Sequence, residues 1–348
     1  MSDEPEPTSY QLVKCNTVED FYRTVTRYMA PRETNAGGRS VFRGVGDSDY
    51  LLCPSVFRQD PARSDVDLEV SDLIFFLRQC SISGMPLPPM HDDLNSAIYV
   101  HNDIAFDWKA NHACSWPCQH VLPFLALAQH HGVSTRLLDW TYDPMIAIYF
   151  AATSSMEHVA TAFKLKHGED LLGFNRDRFD PLQLAYKSYL PWSDSTVPKS
   201  LAVWCTSVAA VKATGGSNES NLNTVELVHV PRSLAPNILA QKGLFTLVRG
   251  FLGNTPILCV DEAIAAWRCE NEDAFNKIHP TEHREVVKVT LPTKLVAGLC
   301  ELLWQLEITP ATVMPGFAGA AKALRWAQLA YALDKRAQPY LQKGDSLL

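Results

Sequence analysis

The stretch that decides the fold is LALAQHHGVSTRLLDWTYDPMIAIYFAA, residues Leu125 to Ala152. Apolar residues dominate both of its ends, and a polar segment separates them. The first apolar run predicts a helix that closes at Gly132, because a glycine just past the last turn tolerates the left-handed backbone of a helix end. The second predicts a helix that begins with Asp143 as N-cap and Pro144 at the first helical position.

Between these helices, residues 134–141 alternate with the two-residue period of a β-strand. One face of this strand carries Thr135, Asp139 and Thr141 around a single leucine. Such a face is too polar for a plain core strand, and it predicts a strand end that opens onto a cleft. The alternative is that the hydroxyl and carboxylate groups only cap the next helix, while Arg136 pairs with a neighbouring carboxylate.

Composition excludes several classes of protein. The chain has 348 residues, 47% of them hydrophobic, and a formal net charge of −7. Non-specific nucleic-acid binding is not expected, because it requires clustered Lys and Arg. No apolar run approaches the length of about 18 residues that a membrane span needs. Nine scattered cysteines are typical of reduced thiols, so we predict a cytoplasmic protein with no membrane association.

The pattern of elements predicts an α+β fold with a mixed β-sheet core flanked by helices. VEDFYRTVTRYMA and DLEVSDLIFFLRQC have helical spacing, and YLLCPSVFR reads as a strand or extended segment. LAVWCTSV, TVELVHVP, GLFTLVRGF and REVVKVTLP read as strands, and PRSLAPNILAQKG as a short helix. We predict a disordered acidic tail over residues 1–15, then one domain over residues 16–348 that ends in helices from about residue 293.

Arg43 stands directly before Gly44 at the end of a predicted strand. A guanidinium group can hold a phosphate or carboxylate through two hydrogen bonds, and a glycine lets the backbone approach a ligand closely. This pair therefore predicts an anion-binding position. The alternative is a structural brace in which Arg43 pairs with an aspartate such as Asp139.

Two adjacent histidines, His130 and His131, end the first helix. The helix dipole favours a histidine at this end, so capping explains one of them. His131 lies nearer to the loop and is the one predicted to act as an acid, a base or a hydrogen-bond partner of a ligand. Trp140 could stack on a base or a nicotinamide ring, or it could belong to the core.

The segment HACSWPCQH contains four residues of types that bind zinc: His112, Cys114, Cys118 and His120. Their spacing differs from the usual zinc-binding patterns, and Pro117 restricts how they could converge. We therefore expect buried thiols and no metal. Motifs of phosphate-loop hydrolases, serine hydrolases and zinc proteases do not occur.

Five segments resemble the FRG domain family, which is named for an early Phe-Arg-Gly. They are VFRG, LLCPSVFR, the central LALAQHHGVSTRLLDWTYDPMIAIYFA, NILAQKGLFT and EITPATVMPGFAGAAKAL. The segments follow one another from Phe42 to about Leu324, so the resemblance covers most of the chain. This resemblance supports the prediction of the fold more strongly than it supports a prediction of the activity.

The layout is also similar to the Arg, Ser, Glu arrangement of mono-ADP-ribosyltransferases, which implies a related fold. The matching positions are Arg43; Ser134, Thr135 or Thr141; and Gln241. In those enzymes the arginine holds the phosphates of NAD, the hydroxyl orients its neighbours, and the glutamate binds the ribose. Gln241 departs from the pattern because it lacks the negative charge that stabilises an oxocarbenium ion.

Together these features predict a polar nucleotide-binding cleft, with NAD as the substrate of an ADP-ribosyltransferase or NAD glycohydrolase. The partners would then be a small-molecule nucleotide and a protein acceptor. Two alternatives remain: a non-catalytic binding or regulatory module with a structural brace, and a metal nuclease in which His131, Asp139 and another carboxylate meet. The expected catalytic residues are Arg43, His131 and Gln241, and the expected ligand-binding residues are Thr135, Arg136, Asp139, Trp140 and Thr141.

Overall fold

A computed structural model describes most of the chain. The described residues are 9–28, 39–59, 66–99, 116–167, 194–213, 224–229, 239–249, 251–252, 255–256, 259–270 and 286–344. The first eight residues, His112, Cys114 and all but the end of the helix predicted over PRSLAPNILAQKG lie outside these ranges.

The fold is α+β, as predicted, with a seven-stranded mixed sheet at its centre. In spatial order the strands are β1 (Gln11–Lys14), β9 (Val286–Pro292), β4 (Ser200–Ser207), β2 (Ser40–Val45), β3 (Leu137–Thr141), β6 (Gly243–Arg249) and β5 (Thr224–Val228). β1 pairs with β9 in parallel, and the other neighbours pair antiparallel. Two short strands, β7 (Phe251–Leu252) and β8 (Thr255–Pro256), form a separate pair.

The helices lie between and after the strands. They are α1 (Val18–Arg27), α2 (Ser55–Gln59), α3 (Val66–Ile82), α4 (Asp92–Tyr99), α5 (Leu122–His130), α6 (Pro144–His167), α7 (Val208–Ala213), α8 (Val260–Glu270), α9 (Val296–Gln305), α10 (Pro310–Val313) and α11 (Phe317–Gly344). Short 3₁₀ turns, Gln119–Val121 and Thr293–Leu295, precede α5 and α9. Among the described helices, none combines the length and apolarity that a bilayer span requires.

Both faces of the sheet are covered, as the residues of β4 show. Leu201 and Val203 pack into an apolar cluster with α1, α6 and α9, whereas Ala202 and Trp204 pack into another cluster with α7 and α8. A third cluster joins α3, α4 and α5 to β3 and β6. The predicted mixed sheet flanked by helices, with a helical C-terminal segment, is therefore confirmed.

Two predictions about local structure were wrong. Residues Gln11–Lys14 form an edge strand on β9, although the disordered tail was expected to extend to residue 15. YLLCPSVFR was expected to be a strand or extended segment, yet its last four residues belong to the helix α2. Both errors have the same cause, because tertiary contacts override the local conformational preference of a segment. β1 forms because it pairs with the distant strand β9, and α2 forms where Val56 and Phe57 are buried.

The central strand β2 lies directly on the backbone of α6. A Cβ atom added to Gly44 would lie 1.8 Å from the carbonyl oxygen of Ala147, and one added to Gly46 would lie 2.4 Å from the nitrogen of Ser155. Because these are helix backbone atoms, no side-chain rotation can relieve the clash. The glycine after Arg43 therefore has a purpose besides the predicted one: it lets a helix approach the strand closely.

We expect Gly44→Ala to destabilise the protein by about 3 kcal/mol or more, because α6 must move away from the sheet. Gly298→Ala is the matched control. Gly298 lies inside α9, and its added Cβ would meet only the side chain of Val18, at an ordinary 3.6 Å. This substitution should leave stability unchanged or raise it by up to about 1 kcal/mol. Denaturant unfolding of both variants tests the claim, and equal midpoints would contradict it.

Candidate functional site

A cavity of about 270 Å³ opens where three adjacent strands meet the helices α5 and α6. The strands β2, β3 and β6 form its floor, the end of α5 and one aromatic residue of α6 form its walls, and two further residues border it. The lining residues are Phe42, Arg43, Gly44, Gln129, His130, Asp139, Trp140, Thr141, Phe150, Gln241, Gly243, Leu244, Phe245 and Met314. We call this space the Arg43 cavity.

An ion pair between Arg43 and Asp139 dominates the polar side of the cavity. The Nη1 atom of Arg43 lies 2.5 Å from Oδ1 of Asp139 and donates a hydrogen bond of 2.8 Å to the carbonyl oxygen of the same residue. Only 10% of the arginine side chain is exposed, compared with 57% of the aspartate side chain. The buried Nε of Arg43 has no hydrogen-bond partner among the described residues.

The electrostatics of this pair keep Asp139 ionised. Desolvation raises the pKa of Asp139, but the charge of Arg43 and its hydrogen bond outweigh that effect, and the net pKa lies below the ordinary value. At neutral pH the cavity therefore contains a carboxylate that solvent can reach. The guanidinium group that balances its charge lies deeper.

Gln129, at the end of α5, holds the carboxylate from the other side. Its Nε2 donates to Oδ1 of Asp139 at 3.2 Å, and its Oε1 accepts from Oγ1 of Thr135 at 2.7 Å. Thr135 is fully buried and does not line the cavity, so it orients Gln129 and has no direct access to a ligand. Gln129 was not among the residues predicted from the sequence, where its only signal was a polar residue at the end of an apolar helical run.

The structure places His130, and not His131, at the cavity. The ring of His131 stacks on Phe76 with 6.0 Å between centroids. Adjacent helical residues point about 100° apart, so only one of the two can face the sheet, and packing of α5 decides which. His131 also does not join Asp139 in any group of metal-ligating side chains among the described residues, which the metal-nuclease alternative requires.

Gln241 and Thr141 border the cavity together. The hydroxyl of Thr141 donates to the backbone oxygen of Gln241 at 2.7 Å, and the Gln241 amide donates to the carbonyl oxygen of Val313 at 3.4 Å. Trp140 also lines the cavity, but it is almost completely buried, and its Nε1 donates to Thr246 at 2.9 Å. The structure therefore brings Arg43, Asp139, Thr141 and Gln241 to one cavity and makes Trp140 largely a core residue.

Arg136 belongs to a different network. Its guanidinium group pairs with Glu69 of α3, and its backbone nitrogen donates to the same carboxylate at 2.8 Å. The indole of Trp116 donates a further bond of 2.8 Å to Glu69, which is only 2% exposed. Arg136 does not line the cavity, so the structure supports the alternative in which it pairs with a neighbouring carboxylate.

We expect Glu69→Ala to destabilise the protein by about 3 to 5 kcal/mol, because it leaves a buried guanidinium group without its counter-charge. Glu157→Ala removes an ion pair with Arg325 in which both side chains are more than 40% exposed. That control should lose less than about 1 kcal/mol. Similar losses in the two variants, measured by denaturant unfolding, would show that the Glu69 network contributes no more than a surface pair.

The pKa of His130 should lie below the ordinary value of about 6.5. Burial lowers the pKa most, followed by the nearby His131 and Lys322. Because the unfolded chain then binds a proton more readily, His130 contributes stability above about pH 6.5 that is lost as the pH falls towards the lower folded pKa. An NMR titration of the imidazole signals measures the value. His131→Ala should raise it, and a His130 pKa at or above that of an unfolded peptide would contradict this description.

Comparison with known proteins identifies one family. No curated protein and no solved structure matches the chain. The family model described as the FRG domain matches residues 38–159, a span that runs from β2 into α6. It includes Arg43, Gln129 and Asp139 but ends before Gln241. The chain therefore contains an FRG domain, and this domain supplies most of the residues that form the Arg43 cavity.

Proposed function

We propose that the Arg43 cavity binds the ribosyl end of a nucleotide such as NAD, and that the protein cleaves the bond between the ribose and its base. The reaction would be NAD hydrolysis or ADP-ribosyl transfer to a protein acceptor. The observation that carries this proposal is the ionised, solvent-accessible carboxylate of Asp139 inside a cavity with aromatic and amide walls.

The walls of the cavity suit one end of a dinucleotide. Phe150 and Phe245 supply apolar ring surface, and the amides of Gln129 and Gln241 supply groups that hydrogen-bond ribose hydroxyls. Sites for whole drug-sized ligands have volumes of about 300 to 1,000 Å³, so a cavity of 270 Å³ matches a part of NAD. The remainder of the nucleotide would extend outside.

The chemistry needs a negative charge that Gln241 cannot provide. When the bond between C1′ of the ribose and the base breaks, the electron pair leaves with the base, and positive charge develops on C1′ and the ring oxygen. A fixed carboxylate stabilises that charge more in the transition state than in the ground state. In this proposal Asp139 has the electrostatic role that the glutamate has in mono-ADP-ribosyltransferases, and Gln241 binds a ribose hydroxyl.

The imidazole of His130 supplies a group that can accept a proton in this reaction. With its pKa lowered by burial and by nearby positive charge, it is neutral at pH 7 and can accept a proton. The attacking group, water or an acceptor side chain, adds to C1′ and releases that proton. His130 thus takes the role that sequence reasoning had given to His131, and Arg43 positions the carboxylate of Asp139.

A specific observation also favours the non-catalytic alternative. Arg43 already contacts both the carboxylate and the carbonyl oxygen of Asp139, which is the geometry of a structural brace between β2 and β3. Under this alternative the cavity is a binding or regulatory surface without chemistry, and no base is released from NAD.

Thermal unfolding with and without millimolar NAD, combined with chromatographic detection of nicotinamide, tests the proposal. Ligand that binds only the folded state raises the melting temperature by mass action. We expect Asp139→Asn to keep the NAD-dependent rise and to lose nicotinamide release by about 100-fold or more, because removing one preorganised electrostatic group has an effect of that size. Gln241→Ala should weaken the rise. Glu19→Gln, an exposed acid-to-amide change on α1, is the matched control and should change neither.

The outcomes separate the two functions. A wild-type protein that neither gains stability with NAD nor releases nicotinamide overturns the proposal. If, in addition, Asp139→Asn melts far below the wild type, the Arg43 and Asp139 pair is a brace. If the wild type binds NAD but releases no nicotinamide, the protein is a binding module, and the proposed enzymatic activity is wrong.

A further inference from the structure

A second cluster of polar side chains lies outside the Arg43 cavity. The cluster consists of His91 and Asp93, at the start of α4, and His120, in the turn before α5; we call it the His91 cluster. Nδ1 of His91 lies 2.8 Å from one carboxylate oxygen of Asp93, and Nε2 of His120 lies 3.4 Å from the other. The two imidazole rings are 5.1 Å apart between centroids.

The ligand atoms are spaced almost as a metal ion would require. One nitrogen from each histidine and one oxygen of Asp93 all lie within 4.8 Å of one another. Around a tetrahedral zinc ion with bonds of about 2.0 to 2.1 Å, ligand atoms lie about 3.3 Å apart. A small inward rotation of these side chains is therefore enough to bring all three to bonding distance.

The donor types favour zinc among the divalent metals. Two imidazoles and one carboxylate form a common three-residue ligand set for catalytic zinc, and they also suit non-haem iron. Sγ of Cys118 lies 3.6 Å from Nε2 of His120, beside the cluster. A thiol next to the His120 nitrogen favours zinc over iron, because thiolate is a preferred ligand of zinc.

We propose that His91, Asp93 and His120 bind a Zn²⁺ ion. The sequence led us to expect no metal at His112, Cys114, Cys118 and His120, and neither this set nor the metal-nuclease alternative included His91 or Asp93. The tertiary structure instead combines His120 with two residues from the start of α4, which no linear pattern connects. The hydrogen bond between His91 and Asp93 and the ion-pair contact between His120 and Asp93 hold the three ligands near their metal-bound positions, where the ion would take the place of the proton between His91 and Asp93.

The position of the cluster indicates what the metal would stabilise. It would join the start of α4 to the turn that begins α5. Gln129 and His130, which line the Arg43 cavity, lie at the other end of α5, about 15 Å away at the rise of an α-helix. The proposed ion would thus connect α4 to the far end of α5, and it does not depend on the function proposed for the cavity.

Metal titration of the full chain tests the proposal. The protein is first stripped with a chelator and then titrated with Zn²⁺ in competition with a chromophoric chelator, and with Co²⁺ as a spectroscopic probe. We expect one Zn²⁺ per chain and the intense visible absorption of tetrahedral Co²⁺. His120→Ala and Asp93→Asn should each weaken zinc binding by more than about 10-fold, since even indirect partners of metal ligands have effects of that size.

Two further variants keep the test decisive. His229→Ala removes an exposed histidine that lies outside the cluster, and it should leave zinc affinity and the cobalt spectrum unchanged. His91→Ala removes the most exposed ligand, whose side chain is 67% exposed, so this variant should fold even if the others do not. Circular dichroism verifies the fold of each variant. Equal zinc affinity in the wild type, folded His91→Ala and His229→Ala would overturn the proposal.

Discussion

The structure depends on one close contact, the packing of strand β2 against the backbone of helix α6. Gly44 and Gly46 have no Cβ atoms, so the helix lies against the strand with carbonyl and amide groups in direct proximity. β2 occupies the middle of the seven-stranded sheet, and α6 is central to the largest apolar cluster. The distance between β2 and α6 therefore influences the position of the neighbouring strands and of the helices in that cluster.

The Arg43 cavity follows from this contact. Arg43 lies immediately before Gly44, so the packing that fixes this part of β2 also places its guanidinium group beside Asp139 of β3. There it meets Asp139 and keeps that carboxylate ionised in a position open to solvent. Gly44 thus contributes both to the packing of the core and to the lining of the cavity. The same short strand, β2, therefore serves the fold and the candidate site.

The two helix ends of α5 have different neighbours. Its C-terminal end brings Gln129 and His130 to the cavity, while the turn at its N-terminal end brings His120 to the His91 cluster. Between these ends the helix buries an apolar face against α3 and α4. A shift of α5 along its axis would therefore move Gln129 and His130 out of the cavity and His120 away from His91 and Asp93 at the same time.

The sequence by itself determined the elements and much of the polar segment. The α+β class, the helices on both sides of residues 134–141, the capping role of Asp143 and the exposed Asp139 on β3 followed from periodicity and caps, because these depend on neighbouring residues. Only the tertiary structure decided which histidine faces the cavity, that Arg136 pairs with Glu69, that Gly44 admits a helix, and that His120 meets His91 and Asp93. These are contacts between segments far apart in the chain, and packing of whole elements sets them, so no local pattern encodes them.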